Sequence, residues 1–412
     1  MKNHLLLILS LLLMACSSDT PEDSVSGKTE AVPLGFTAGL AEDVSLSTRA
    51  DGEDLKGEGE WTTASLRTAG FGVYCWYTGH TDFDEWASGQ THIKDYLGTT
   101  GYMLMQNQKV EYDTEKVKWD YTPSKYWPLD LTEKLTLRAY APYTDNLVLD
   151  PMEVADRGTP YLPVTVLADD YCNNCQHDPL WGTSKYMPDG TVDGLLRYGT
   201  HYDNYTYKMS GDDKTAEDER DGVIDWYFHH GMAKFGLQAQ LLTEEPGVDV
   251  RVTGIHTGPF YNFGLLDIFN SPTASSADKP IWRNRTHPVG DDFYVTIGYE
   301  HPDASGTHND LNGVVLNAER YQNVAKNGLL VIPRDYSGAT PMLVRVTYTR
   351  TNSSTGAVIS TGTVDGYVTM DVKGNTVYAL QLLIGTDANT LYVRSFVNLY
   401  WQTGTYQLLD DL

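Results

Sequence analysis

Residues 32–40 read Val32-Pro33-Leu34-Gly35-Phe36-Thr37-Ala38-Gly39-Leu40. Successive side chains of an extended strand point to opposite faces. One face of this segment is therefore entirely apolar, since it carries Val32, Leu34, Phe36, Ala38 and Leu40. This alternation predicts a β-strand that packs one face against a protein core.

A targeting segment precedes this strand. Lys2 is followed by an apolar run over residues 5–13, which is too short to span a bilayer and ends in Ala15-Cys16. The arrangement resembles the bacterial lipobox, in which a small residue precedes a cysteine that is acylated and becomes the new N-terminus. We therefore expect a lipoprotein signal peptide over residues 1–15 and a lipid on Cys16.

A candidate processing site follows the strand. Arg49-Ala50 lies in a polar segment, and exposed polar segments are preferred sites of proteolytic cleavage. Cleavage there would remove the strand, so residues 16–49 are predicted to be a prosegment with a removable first strand. Cutting after Arg67 would also remove the strand, so the sequence leaves both arginines as candidates.

Composition and charge limit the function. The 412 residues are enough for two domains, and 28 Tyr, 9 Trp and 37 Gly with no long helical periodicity favour an all-β exported protein. A net charge of −25 disfavours nucleic acid, which requires basic residues, and is typical of a soluble acidic surface. Calcium binding is the lesser alternative, and no cofactor is expected.

Short alternating segments recur along the chain with turn residues between them. Clear examples lie at residues 70–77, 134–141, 235–241, 342–348 and 378–384, whereas residues 150–222 are rich in polar loops. This pattern predicts antiparallel β-sandwiches. We expect an N-terminal β-sandwich domain over residues 50–222 and a C-terminal β-sandwich domain over residues 223–412.

Several landmarks together resemble the fimbrillin family of Bacteroidales, the subunits of type V pili, with Mfa-like and FimA-like members as the nearest match. The resemblance spans the whole chain in order. It is carried by the lipobox at Cys16, Ser47-Thr48-Arg49-Ala50, Tyr126-Trp127-Pro128, Arg138-Ala139-Tyr140-Ala141-Pro142, residues 176–182 (Gln-His-Asp-Pro-Leu-Trp-Gly), residues 228–235 (Phe-His-His-Gly-Met-Ala-Lys-Phe), residues 329–333, residues 375–380 and the last strand with Trp401.

The resemblance implies two transthyretin-like antiparallel β-sandwich domains in tandem and a cell-surface pilus subunit of stalk or tip type that supports adhesion. It implies an outer-membrane lipoprotein precursor, an arginine-specific protease that cuts after Arg49, and other pilus subunits as partners. It favours Arg49 over Arg67 because the family's arginine is followed by a small residue. A host or bacterial surface glycan or protein is a further expected partner.

The last strand is the candidate for exchange between subunits. Within residues 389–412, Leu391, Val393, Val397, Leu399 and Trp401 alternate as the first strand does, and only Ser395 interrupts the apolar face. A strand of matching pattern can replace the removed one by β-augmentation. The alternative is that this strand completes its own domain, as last strands usually do.

No other group of residues in the sequence has a clear catalytic or metal-binding role. Cys172, Cys175 and His177 form an incomplete set of metal ligands, and a loop disulfide or two inert thiols explain them better in an exported protein. His229-His230 is expected to be structural. No catalytic motif is found, so an enzyme is not predicted.

A binding function of another class is the main rival. Aromatic residues between 150 and 230 can form a stacking platform for sugars, which predicts a monomeric surface glycan-binding lipoprotein. Core packing and loop anchoring explain the same residues better. The residues concerned are Tyr202, Tyr205, Tyr207, Trp226 and Tyr227.

Overall fold

The structure of the protein is a computed structural model that describes segments in both halves of the chain and more of the second half than of the first. The described residues are 33–40, 61–79, 97–98, 101–128, 133–149, 160–166, 178–183, 223–268, 282–286, 293–298, 301–303, 306–308, 311–325, 328–338, 340–385 and 390–398.

The described part of the first half contains one helix, α1 (Thr63–Ala69), which is seven residues long and too short to span a membrane. Its strands are β1 (Gly35–Leu40), β2 (Phe71–Gly79), β3 (Leu97–Gly98), β4 (Gly101–Asp113), β5 (Lys118–Asp120), β6 (Lys134–Ala141), β7 (Val148–Leu149), β8 (Pro160–Thr165), β9 (Leu180–Thr183) and β10 (Val223–His230).

The second half consists of further strands. They are β11 (Ala233–Leu241), β12 (Val248–Phe260), β13 (Phe263–Asp267), β14 (Trp282–Thr286), β15 (Phe293–Gly298), β16 (His301–Asp303), β17 (Gly306–His308), β18 (Gln322–Asn323), β19 (Leu329–Val331), β20 (Met342–Asn352), β21 (Val358–Val368), β22 (Thr376–Gly385) and β23 (Thr390–Asn398). The expectation of an all-β fold is confirmed.

An eight-stranded sheet dominates the first half, in the order β1-β10-β9-β6-β2-β4-β3, with β5 paired to β4. β1 runs parallel to β10, while the other neighbours in this sheet are antiparallel. One face of the sheet buries a continuous apolar cluster that includes Phe71, Leu137, Ile224 and Phe228. The inward residues alternate with outward ones because the strand period is two.

The second half folds as two facing sheets, β18-β11-β22-β23 with β19 on β11, and β15-β12-β20-β21. They enclose the largest apolar cluster of the described residues. β20 shows why the sequence packs this way: Met342, Val344 and Val346 are buried, whereas Arg345 between them is exposed. β11 and β22 pair in parallel, and the remaining pairs of these sheets are antiparallel.

Another four-stranded sheet, β14-β13-β8-β7, combines strands from both halves. Its apolar cluster joins Trp76 and Trp181 of the first sheet with Leu266, Trp282 and Ile332 of the second half. The expected division at residues 222 and 223 remains a prediction. β10 follows this division in the sequence, yet it is hydrogen-bonded into the first sheet between β1 and β9.

Candidate functional site

β1 lies at an edge of the first sheet. It pairs with β10 in parallel from Gly35 opposite Val223 to Leu40 opposite Phe228, and no other described strand pairs with its second edge. β1 is therefore attached to the sheet through one ladder. The chain leaves it through residues 41–60, which lie outside the described residues along with Arg49, Ala50, Cys16 and Val32.

The inward face of β1 and of the residue before it is deeply buried. Leu34, Phe36 and Leu40 are 2%, 5% and 1% exposed and belong to the first core, while Ala38 is half-buried against it. The Phe36 ring lies 6.1 Å from that of Phe71 and 5.4 Å from that of Tyr121, measured between ring centroids. The alternation predicted from the sequence is thus the face that packs.

A polar clasp holds the start of this segment. The Tyr121 hydroxyl donates to the Leu34 carbonyl at 2.6 Å, and the Leu34 N–H donates to the Lys125 carbonyl at 2.9 Å. Burial is the largest effect on Tyr121 and raises its pKa to about 12, so its hydroxyl keeps its proton as a donor. Pro33 also forms an isolated antiparallel bridge with Tyr126.

We call the surface that β1 covers the β1 groove, bounded by the edge of β10, Phe71 and residues 121–125. Burying a large apolar side chain contributes about 1.5 to 3 kcal/mol. The three deeply buried side chains of the strand together therefore contribute roughly 5 to 9 kcal/mol, an upper range because unfolded chains are partly compact. An empty β1 groove would expose both this apolar surface and the unpaired edge of β10.

Trp61 anchors the chain where it returns from the linker. Its side chain is buried, and its Nε1–H donates to the Asp178 carbonyl at 2.8 Å. Leu66 of α1 is also fully buried in the first core. Trp61 and Leu66 are thus part of the folded first core.

Arg67 occupies the helix α1. It is exposed, and its guanidinium lies 4.4 Å from the centre of the Tyr112 ring. The helix is capped by Thr62, whose Oγ1 accepts from the Ser65 N–H at 3.0 Å. An arginine in a capped helix is held away from the extended conformation in which loop segments are cut.

The C-terminal strand β23 pairs antiparallel with β22 at the edge of a sheet in its own chain. Leu391 is buried, Val393 is half-buried, and Tyr392 between them is 52% exposed. In this structure the strand thus pairs within its own chain, and its exchange between subunits stays a prediction. Val397 lies on β23 opposite Tyr378, while Leu399 and Trp401 lie outside the described residues.

The junction between β10 and β11 joins two of the motifs that carry the family resemblance. Asp178 is fully buried; its Oδ2 lies 2.5 Å from His230 Nδ1, and its Oδ1 accepts from the Met232 N–H at 2.9 Å. The Asn375 N–H donates to the Met232 carbonyl at 2.8 Å, which brings in a third motif. These contacts make the junction a structural bracket around Asp178.

His229 is buried beside this bracket. Its ring stacks on that of Trp181 with centroids 5.0 Å apart. Burial, and then the neighbouring His230, lower the pKa of His229 to about 3. The ring is therefore neutral at physiological pH.

The aromatic platform proposed for sugars is not formed by Trp226. This side chain is 1% exposed and packs in the first core, because its position on β10 faces inward. Tyr227 is half-buried, and Tyr202, Tyr205 and Tyr207 lie outside the described residues.

The described residues bring together no group of three His, Cys, Asp or Glu side chains that could hold a metal. Burial raises the pKa of the Cys75 thiol and makes it unreactive. Cys172, Cys175 and His177 lie outside the described residues.

Sequence reasoning missed Tyr121 and Trp61. Neither falls on an alternating apolar face whose partner could be inferred, because each acts through a hydrogen bond to a distant main-chain carbonyl. In the sequence, Asp178 is recognisable only as part of the motif at residues 176–182. Its position between two longer-range contacts is visible in the fold alone.

Comparison with solved structures identifies the fold. A fimbrial protein from Bacteroides vulgatus matches 89% of this chain and 99% of its own, with a TM-score of 0.55 and 15% sequence identity. The chain has the fold of a fimbrial protein. No family model and no curated protein matches it.

The fimbrial fold agrees with the resemblance found in the sequence. More distant matches include a candidate cell adhesion protein from Bacteroides uniformis, with a TM-score of 0.40, 12% identity, and 89% and 98% of the two chains covered. Another is the fimbrial anchor protein Mfa2 from Porphyromonas gingivalis, with a TM-score of 0.28, 9% identity, and 90% and 98% covered.

Proposed function

We propose that the protein is a stalk or tip subunit of a cell-surface type V pilus, which polymerises by strand exchange and supports adhesion. One observation carries the proposal. β1 fills an apolar groove of the first core, yet is held by a single ladder and joined to the fold through a polar linker. A strand with these properties can be removed and replaced without dismantling the rest of the sheet.

Processing is assigned to Arg49, followed by Ala50. The linker 41–60 contains Arg49 as its one arginine. Cleavage after Arg67 would take away Trp61 and Leu66, which are core residues, and would damage the sheet that has to accept a new strand. Cleavage after Arg49 leaves both in place.

Export and anchoring precede processing. The precursor reaches the outer membrane with a lipid on Cys16, and β1 keeps the first core closed during transit. An arginine-specific protease then separates the lipid and β1 from the mature chain. The β1 groove becomes available to the C-terminal strand of another pilus subunit.

The geometry of this contact predicts a filament. Donor and acceptor surfaces differ, so each subunit can accept from one neighbour and donate to the next. The contact is head-to-tail and open, and it does not close after two copies. A surface glycan or protein of a host or another bacterium is the proposed target of the assembled fibre.

The proposal is tested with purified precursor carrying Cys16→Ser, so that no lipid is attached. Digestion with an arginine-specific protease is followed by intact mass measurement and by gel electrophoresis without boiling. We expect a new N-terminus at Ala50 and a ladder of bands that collapses on boiling.

Two variants serve as controls. Arg49→Ala should stay monomeric, whereas Arg67→Ala should be processed and assemble like the parent. Cleavage at Arg49 that yields folded or unfolded monomer alone would overturn strand exchange. Assembly of the uncut Arg49→Ala chain would overturn the role of processing.

A further inference from the structure

We propose that the incoming strand lies parallel to β10, with Leu391 in the place of Leu34 and Ser395 in the place of Ala38. In this register Val393 and Val397 replace Phe36 and Leu40. The inference rests on the proposed function and deepens it, because it names the residues that decide how the neighbouring subunit is seated.

The depth of the β1 groove selects the register. Leu34, Phe36 and Leu40 mark three deep positions, and Ala38 marks the one shallow position between them. Burying a hydroxyl without a hydrogen bond costs free energy. A shift by two residues in the parallel direction would put Ser395 at the site of Phe36 or of Leu40. Only the proposed parallel register leaves it at the shallow site.

The buried face of the donor is already defined in its own chain. On β23, Leu391 and Val393 point inward and Tyr392 points outward. The same residues would face inward in the β1 groove. There the corresponding positions are more deeply buried than Val393 is in β23, which favours transfer of the strand.

The outward face supplies the direction. Thr37 is the register partner of Asp225, so a parallel donor places Arg394 beside Asp225. Opposite charges on neighbouring strands attract each other, as they do in other cross-strand pairs. A donor strand antiparallel to β10, with Ser395 still at the site of Ala38, would place Phe396 beside Asp225 and lose this pair.

Two glycines of β1 show how the outward residues fit. A Cβ atom at Gly39 would meet nothing within 4 Å, so the backbone there can carry a side chain such as that of Phe396. A side chain at Gly35 would approach Val223 Cγ2 to 3.1 Å, so Tyr392 requires a small movement of that valine. The clasp of Tyr121 and Lys125 would bind the main chain of Leu391 as it binds Leu34.

A charge exchange tests the pair in the processed full chain. Arg394→Glu should slow ladder formation at least fivefold at low salt, and Asp225→Lys should do the same. The double variant should recover most of the rate, because the pair is restored with its charges exchanged. Lysine is chosen at position 225 so that no new arginine is offered to the protease.

Disulfide trapping tests the register. In a Cys172→Ser, Cys175→Ser background, Asp225→Cys is combined with Arg394→Cys, Tyr392→Cys or Phe396→Cys. Oxidation of the assembled chains should link subunits mainly through the 394 pair, as seen on a denaturing gel without reductant. Assembly with preferential linkage through 392 or 396 would overturn the register while leaving strand exchange intact. Failure of the processed chain without these substitutions to assemble would instead count against the proposed function.

Discussion

Single residues show how one strand can be both firmly packed and separable. Phe36 fills the centre of the β1 groove, whereas Ala38 touches it only partly. Tyr121 adds a directional contact, because its hydroxyl meets a main-chain carbonyl that any strand would present. In the proposed exchange, the side chains would therefore set the affinity for a strand, while the clasp would hold the main chain of strands of different sequence.

Shortening Phe36 should destabilise the precursor. Phe36→Ala is expected to lower the free energy of unfolding by about 3 kcal/mol, since it removes a buried ring and leaves a cavity. Urea unfolding followed by tryptophan fluorescence measures the loss. Gly39→Ala is the control, because its new methyl group meets nothing within 4 Å. Equal stability of Phe36→Ala and the parent would contradict the packing role.

Buried His229 should make stability fall in mild acid. Its folded pKa of about 3 lies below the ordinary value of 6.5, so the unfolded chain binds more protons between these values. Stability is full above pH 6.5 and decreases as the pH falls. Between pH 7 and 5.5 the parent should lose about 1 kcal/mol more than His229→Phe. Denaturant titrations at both pH values measure the free energy of unfolding. An equal loss between pH 7 and 5.5 in the parent and in His229→Phe would refute the prediction.

At the scale of elements, β1 and β23 are both edge strands with one alternating apolar face. They differ in their ladders: β1 is parallel to β10, and β23 is antiparallel to β22. Edge strands can leave a sheet without breaking pairs among the others. The exchange proposed here needs two such strands, one to vacate and one to enter.

A free copy of the first strand should block assembly. A synthetic peptide of residues 31–42, added to the subunit during processing, is expected to reduce ladder formation in a dose-dependent manner, because it refills the β1 groove. Quantitative unboiled gels measure the effect. The same peptide with Phe36→Asp is the control and should be at least tenfold weaker, since a charge would enter an apolar pocket. Equal potency of the two peptides would contradict the mechanism.

At the scale of the molecule, the two halves are connected by more than a linker. The sheet β14-β13-β8-β7 takes strands from both, and the Asp178 bracket ties the end of β10 to Met232, the residue before β11. In the proposed filament, force would be transmitted along the chain between the site that accepts a strand and the site that donates one. The bracket lies between them in sequence.

Removing the charge of Asp178 should weaken the whole fold. Asp178→Asn is expected to cost about 3 kcal/mol, because it disrupts a buried pair with His230 and leaves polar groups poorly satisfied. Calorimetry and urea unfolding measure the change. Asp365→Asn is the matched control, since its pair with Arg345 is exposed and is expected to contribute at most about 1 kcal/mol. Similar costs for both variants would refute the bracket.

Much of the fold could be predicted from period-two patterns. The segments at 70–77, 134–141, 342–348 and 378–384 fall on β2, β6, β20 and β22. The patterns did not reveal the two parallel pairings or the sheet β14-β13-β8-β7 that the two halves share. Alternation shows which face of a strand is buried. It does not show which strand lies beside it or whether the two run parallel or antiparallel.

The sequence by itself determined the all-β class, the apolar face of residues 32–40 and the matching face of the last strand, because each follows from local alternation. Only the tertiary structure decided that β1 lies at an edge beside β10, that Tyr121 holds Leu34 just before it, and that Trp226 is a core residue. These features depend on contacts between segments far apart in the chain. Their geometry is set when the sheets close, and no local pattern encodes it.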